Sequence, residues 1–195
     1  MLSQKSNPFA TKFIRAGALR YRFPDGQSIN DIHDRLARNR WRGQVVGHHG
    51  SGKTTLLRTL DRHWVRWNRQ PFTFSLQDGQ RTFNMQGWTH WSSGTQIIID
   101  GYEQLSWFSR CKLLYRCRRR ESGLIVTTHH QALFLPITAC CAATLTLATA
   151  LVEELTSTHK PIDQTLVKTC FEMNRGNLRE TFLQLYDQHH MTTVD

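Results

Sequence analysis

A chain of 195 residues, 39% hydrophobic and 21% charged, is long and apolar enough for one buried core plus a small appendage. Wholesale disorder is excluded. Its 25 Lys and Arg outnumber 15 Asp and Glu for a formal charge of +10, and the entire excess sits in the first 70 residues, which points to a polyanionic ligand or partner.

The first forty residues read as a polar, basic lead-in that packs on the core. Ser3 to Phe13 is polar and broken by Pro8, unlike a secretory leader. Pro8, Gly17, Pro24 and Asp25-Gly26 mark turns. Ser28 has the character of an N-cap, with Asp31 three residues on and Ile32 and Leu36 at helical spacing, so a helix is predicted to end near Asn39. Gln44-Val45-Val46 is a short buried strand that runs into a Gly-rich turn. A helix is then predicted from Thr54 to about Asn68, with Leu56, Leu57, Leu60 and Trp64 on its apolar face. Phe72, Phe74 and Leu76 alternate with polar residues as in a strand, and Asp78-Gly79 followed by Arg81 to Met85 predicts a hairpin. Residues 87–94 are loop or a short helix.

Ile97-Ile98-Ile99 is a β-branched run suited to a strand covered on both faces of a parallel sheet. Gln104 to Arg120 predicts a helix with Leu105, Phe108, Cys111, Leu114 and Tyr115 inward. Leu124-Ile125-Val126 is a further buried strand, and Ala143 to Leu147 a candidate fifth. Gln131 to Val152 holds no charge, but Pro136 and its many Thr and Ala dilute it below what a membrane span needs, so no membrane is expected. Three helical pieces follow, Ala148–Ser157, Ile162–Asn174 and Asn177–His189, broken at Pro161 and Gly176. The alternation predicts an α/β fold with a mainly parallel sheet, divided as lead-in 1–40, core 41–147 and helical segment 148–195. The five cysteines are odd in number and none forms a Cys-x-x-Cys pair (Cys140 and Cys141 are adjacent), which argues against a disulfide framework or a zinc site and suits a reducing cytoplasm.

Gly47-His48-His49-Gly50-Ser51-Gly52-Lys53-Thr54 fits the phosphate-binding pattern G-x-x-x-x-G-K-[ST]. The glycines let backbone N–H groups converge as an anion nest, and the helix that follows adds its positive dipole end. Lys53 reaches the β and γ phosphates, Thr54 supplies a magnesium ligand, and Thr55 joins the candidate nucleotide-binding set. His48 and His49 occupy tolerant loop positions at the pocket mouth. Asp100, at the C-terminal end of the Ile97–Ile99 strand, is the second candidate magnesium ligand.

These two motifs resemble Walker A and Walker B of P-loop NTPases. The strand Gly123 to His129 resembles the additional strand of the ASCE division, whose polar end senses the γ-phosphate, so the resemblance assigns that role to Thr128 or His129. Arg175-Gly176-Asn177-Leu178-Arg179-Glu180 resembles the helix start that bears the sensor-2 arginine in AAA+ ATPases of the origin-recognition and STAND type, which assigns Arg179 to the phosphates. The resemblance covers roughly residues 40–187. It implies a three-layer P-loop NTPase fold with about five strands and a small C-terminal helical lid, with ATP and Mg2+ as the expected ligands. The family usually places a catalytic Glu directly after the Walker B Asp; here that position is Gly101, and Glu103 is the nearest carboxylate. Glu103 is either the general base or a helix-start acid stabilised by the dipole. The His129 position is also similar to the switch histidine of ABC ATPases, but the Leu-Ser-Gly-Gly-Gln signature of that family is missing.

On the helix after the phosphate loop, Arg58, Arg62, Arg66 and Arg69 fall at steps of four, four and three, which puts all four on one face. Arg116, Arg118, Arg119 and Arg120 cluster at the end of the helix after Walker B. Both read either as surfaces for nucleic acid or an acidic protein partner, or as solvated helix faces. An arginine finger from a neighbouring subunit, among Arg110, Arg116 and Arg118, would imply an oligomer. The sequence therefore reads as an ATPase. The alternatives are a nucleotide-gated adaptor with negligible turnover and a P-loop phosphotransferase with an Arg-rich lid.

Overall fold

The computed structural model describes residues 7–82, 88–159 and 161–192. After a four-residue helix, α1 (Thr11–Ile14), comes α2 (Ile29–Arg38). Ser28 caps α2: its hydroxyl accepts from the Asp31 N–H while the Asp31 carboxylate accepts from the Ser28 N–H. The core follows as β1 (Arg42–Val46), α3 (Lys53–Leu60), β2 (Gln70–Ser75), β3 (Thr95–Asp100), α4 (Trp107–Arg119), β4 (Gly123–Thr128) and β5 (Ile137–Cys140). Three helices close the chain: α5 (Leu145–Leu155), α6 (Gln164–Met173) and α7 (Leu178–Thr192).

The five strands form one parallel sheet in the order β2-β3-β4-β1-β5. The strand that follows Asp100 in sequence, β4, thus lies between β1, which leads into the Gly-rich loop, and β3, which ends at Asp100. The period-2 alternation sorts side chains to two layers. Val45, Ile98 and Ile125 pack under Leu36 of α2 and Leu56 and Leu60 of α3. Ile97, Ile99, Leu124 and Val126 face Leu113, Leu114 and Cys117 of α4. A third cluster joins the C-terminal helices through Leu151, Val152, Val167, Phe182 and Leu185, and Phe9 of the lead-in is buried within it. Among the described residues no helix is long and apolar enough to cross a membrane.

Four expectations need correction. The helix after the phosphate loop stops at Leu60 rather than near Asn68; a turn and a 3-10 segment, Val65–Trp67, complete the span, and Asn68 adopts a left-handed conformation. That reversal buries Trp64 fully and brings the chain to the edge of the sheet. The hairpin is not formed by residues 81–82, and its remainder up to Met85 lies outside the described residues; β2 spends its ladder on β3, in parallel. The fifth strand is Ile137–Cys140, earlier than 143–147, because Thr144 instead caps α5 by accepting from the Leu147 N–H. On α4 the inward set is Leu113, Leu114 and Cys117, while Phe108, Cys111 and Tyr115 are exposed.

Candidate functional site

The phosphate loop joins β1 to α3 at the C-terminal edge of the sheet. Gly50 and Gly52 take positive φ values of 68° and 93°, a conformation that glycine alone adopts freely. Gly52 stands at the N-cap of α3 with no side-chain cap, so the first N–H groups of that helix open toward the cleft. The Lys53 ammonium donates to the carbonyls of Gly47 at 2.6 Å and His48 at 2.8 Å. Burial lowers the Lys53 pKa, and Glu103 and Asp100 partly restore it.

Asp100 is the junction of three elements. Its Oδ2 accepts from the Thr54 hydroxyl of α3 at 2.8 Å and its Oδ1 from the Thr127 hydroxyl of β4 at 2.6 Å. Thr127 in turn accepts from the Gly101 N–H at 2.8 Å. Both carboxylate oxygens are therefore aimed before any ligand arrives. Thr128, assigned to the γ-phosphate by resemblance, points to the opposite face of β4, where it is 2% exposed and donates to Gln44 Oε1 at 3.3 Å. Alternation along the strand is the reason: Thr127 and His129 share a side, and Thr128 does not. Thr127 is the site residue that sequence reasoning missed, and its parity with His129 was the available signal.

Gly101, left-handed with φ of 87°, turns the chain into the 3-10 segment Tyr102–Gln104. That turn carries Glu103 back over the cleft, where its Oε1 lies 2.8 Å from His129 Nε2. Glu103 Oε2 is buried without a hydrogen-bond partner among the described residues. His129 Nδ1 lies 3.3 Å from both Lys53 Nζ and the Gly47 carbonyl, and the His49 ring sits against the imidazole with centroids 3.8 Å apart. Burial and then Lys53 hold the His129 pKa below its ordinary value, against the pull of Glu103, which favours the neutral ring at neutral pH. Arg110, a candidate arginine finger, is committed to its own loop: it donates to the carbonyls of Glu103 at 2.6 Å and Leu105 at 2.8 Å and lies over the Tyr102 ring. Its role here is to position the Glu103 turn.

These groups open into a cleft of about 740 Å³. Its floor holds His49 to Thr55, Asp100, Glu103, Thr127 and His129; its walls include Arg15, Arg20, Tyr21 and Arg22 of the lead-in and Leu178, Arg179 and Phe182 of α7. Gly47, His48 and Thr128 are not part of the lining. Asn177 caps α7 by accepting from the Arg179 and Glu180 N–H groups at 3.1 and 3.3 Å. A Cβ added at Gly50 would collide with the Asn177 side chain, so the start of α7 rests directly on the phosphate loop. The lead-in arginines carried no motif that could have placed them here.

The basic stripe of Arg58, Arg62, Arg66 and Arg69 does not exist as one face, because α3 ends at Leu60. Arg58 pairs with Asp61 at 3.4 Å, while Arg62 and Arg66 are exposed beyond the helix end. Arg69 is 7% exposed, donates to the carbonyls of Ser93 and Thr95, and lies over the Trp41 ring. It is a structural residue. Of the second cluster, Arg118 and Arg119 are exposed, Arg116 and Arg120 half-buried.

No protein-family model and no curated protein matches the sequence. Solved structures do match in fold. Two variants of RuvB from Thermotoga maritima, an AAA+ P-loop ATPase, superpose with TM-scores of 0.59 and 0.58 at 16% identity, over 86% of this chain and 63% of theirs. The chain thus spans under two thirds of the length of those neighbours. At 16% identity the likeness speaks to architecture. Together with the strand order and the placement of Thr54 against Asp100, it shows that the chain has the P-loop NTPase fold.

Proposed function

We propose that this chain binds MgATP in the cleft and hydrolyses it to ADP and phosphate, using the change of state to drive or switch its hold on a partner. One observation carries the reading: Thr54 and Asp100, from a helix and a strand 46 residues apart, meet at 2.8 Å beside Lys53 and the phosphate loop. A hydroxyl and a carboxylate so joined are the hard oxygen donors that a magnesium ion takes, so the residues fit that ion. When bound there it supplies charge neutralisation on the β and γ phosphate oxygens.

The chain's own groups do the rest. Loop N–H groups and Lys53 hold the phosphates in place of water. Thr127 keeps Asp100 aimed. Glu103 accepts a proton from the attacking water as its oxygen bonds to the γ-phosphorus and the bond to the β–γ bridging oxygen breaks. His129 holds Glu103 in position, and Arg179 meets the phosphates from α7. The free state of all five cysteines suits a cytoplasmic setting.

A specific observation favours a second reading, a nucleotide-gated adaptor with negligible turnover: Gly101 stands where the family carries its base, and Glu103 is already engaged by His129. ATP turnover of the wild type and Glu103→Gln separates the two. The expected result is turnover in the wild type and a loss of roughly 10²-fold or more in the variant, with ATP binding retained. Equal turnover in both proteins would move the base elsewhere, and none in either would leave the adaptor.

A further inference from the structure

Helix α4 turns to solvent a face that hydrophobicity alone would bury. Phe108 is 84% exposed, Tyr115 61% and Trp107 57%. Lys112, Arg118 and Arg119 are exposed between and beyond them. Positions 108, 112, 115 and 119 step by four, three and four, which is one stripe along a helix, and it runs for about 16 Å at 1.5 Å per residue. Rings and cations are interleaved along it: Arg119 donates to the Tyr115 hydroxyl at 3.3 Å, which sets guanidinium and ring side by side. No acidic residue occurs from Ser106 to Arg120. Leu113, Leu114 and Cys117 lock the opposite face to the sheet, so the stripe is held on a rigid support.

We infer that this stripe binds single-stranded nucleic acid. The rings offer flat apolar faces on which unpaired bases stack, and the cations follow a phosphate backbone. Each alternative leaves half of the stripe unused. A duplex hides its base faces inside the stack, and an acidic protein meets the cations without needing the two exposed rings. A second copy docked face to face would bring the same cations together. None of the stripe residues lines the nucleotide cleft, so the inference goes beyond the ATP reading and stands apart from it.

The test is fluorescence anisotropy of a labelled oligothymidylate of about 20 nucleotides, titrated at several salt concentrations. With the two stripe cations, Lys112 and Arg119, engaged, log K should fall against log salt with a slope of about −1.4. Phe108→Ala with Tyr115→Ala should weaken binding at least roughly tenfold at an unchanged slope. Lys112→Ala with Arg119→Ala should bring the slope close to zero. Lys53→Ala should lose ATP and keep the oligonucleotide, which separates a failure here from a failure of the nucleotide reading. The inference is overturned by no binding, by equal affinity for a duplex of the same length, or by an unaffected double aromatic variant. It is likewise overturned by a loss confined to Arg58→Ala, Arg62→Ala and Arg66→Ala, or by binding to phosphatidylserine vesicles in place of the oligonucleotide.

Discussion

Gly101 stands where the resemblance to Walker B places a glutamate, and its backbone explains the difference. Gly101 sits at φ of 87°, and a Cβ there would stand 2.9 Å from the Leu76 carbonyl oxygen. Any side chain, glutamate included, meets both the left-handed conformation and that carbonyl, so the acid cannot sit next to Asp100 in this loop. Two residues later Glu103 reaches the cleft from a 3-10 turn instead. Gly101→Ala is therefore expected to lower stability by about 1–3 kcal/mol, read as a lower midpoint in thermal or urea unfolding. An unchanged midpoint would mean that the loop relaxes away from Leu76 and that no strain dictates the glycine. That Thr54 and Asp100 stand together beside Lys53 was legible in the sequence, because the Gly-rich motif fixes Lys53 and Thr54 and an apolar strand ends at Asp100. Thr127 was not, since two adjacent threonines differ only in which side of β4 they face, and that side is set by the register against β1 and β3.

At the scale of elements the parallel order and the two helical layers followed from apolar runs and their alternation, but two helix readings failed for tertiary reasons. Residues 61–68 contain neither Gly nor Pro, so nothing local ends α3. The chain leaves the helix, turns left-handed at Asn68, and delivers Arg69 to the carbonyls of Ser93 and Thr95 at the edge of β3. On α4 apolar residues lie on every side, and only the sheet decides that Leu113, Leu114 and Cys117 are the buried ones. The four arginines read as one stripe thus divide. Arg69→Ala removes a buried charge-assisted donor to the carbonyls of Ser93 and Thr95, and about 2–4 kcal/mol of stability should go with it. Arg62→Ala with Arg66→Ala, both exposed, should stay within about 0.5 kcal/mol of the wild type. Equal effects in urea unfolding would return Arg69 to the surface reading.

Across the whole molecule the cleft is where three parts of the chain meet. The core supplies the floor, α7 rests on the phosphate loop through Asn177, and the lead-in crosses from Phe9, buried among the C-terminal helices, to Tyr21, which approaches Gly52 and places its hydroxyl 3.4 Å from Cys141 Sγ. Arg22 ties the lead-in to Glu154 of α5 at 2.7 Å, though as an exposed pair it adds little stability by itself. The charge excess of the first 70 residues acquires a location in this arrangement, because Arg15, Arg20, Arg22 and Lys53 all border the cleft, where a triphosphate would balance them. A ligand that touches floor, lead-in and α7 stabilises all three against unfolding at once. At a free concentration near 100 times its dissociation constant, MgATP should add about 2.7 kcal/mol. For a chain of this size that is a rise of roughly 5–10 °C in the unfolding midpoint. Lys53→Ala should abolish the rise, because the ammonium that bridges the phosphates is gone while the fold keeps its core. Differential scanning fluorimetry with and without MgATP reads both outcomes. A wild type indifferent to millimolar MgATP would sink the nucleotide reading. A shift that survives Lys53→Ala would place the ligand somewhere other than the phosphate loop.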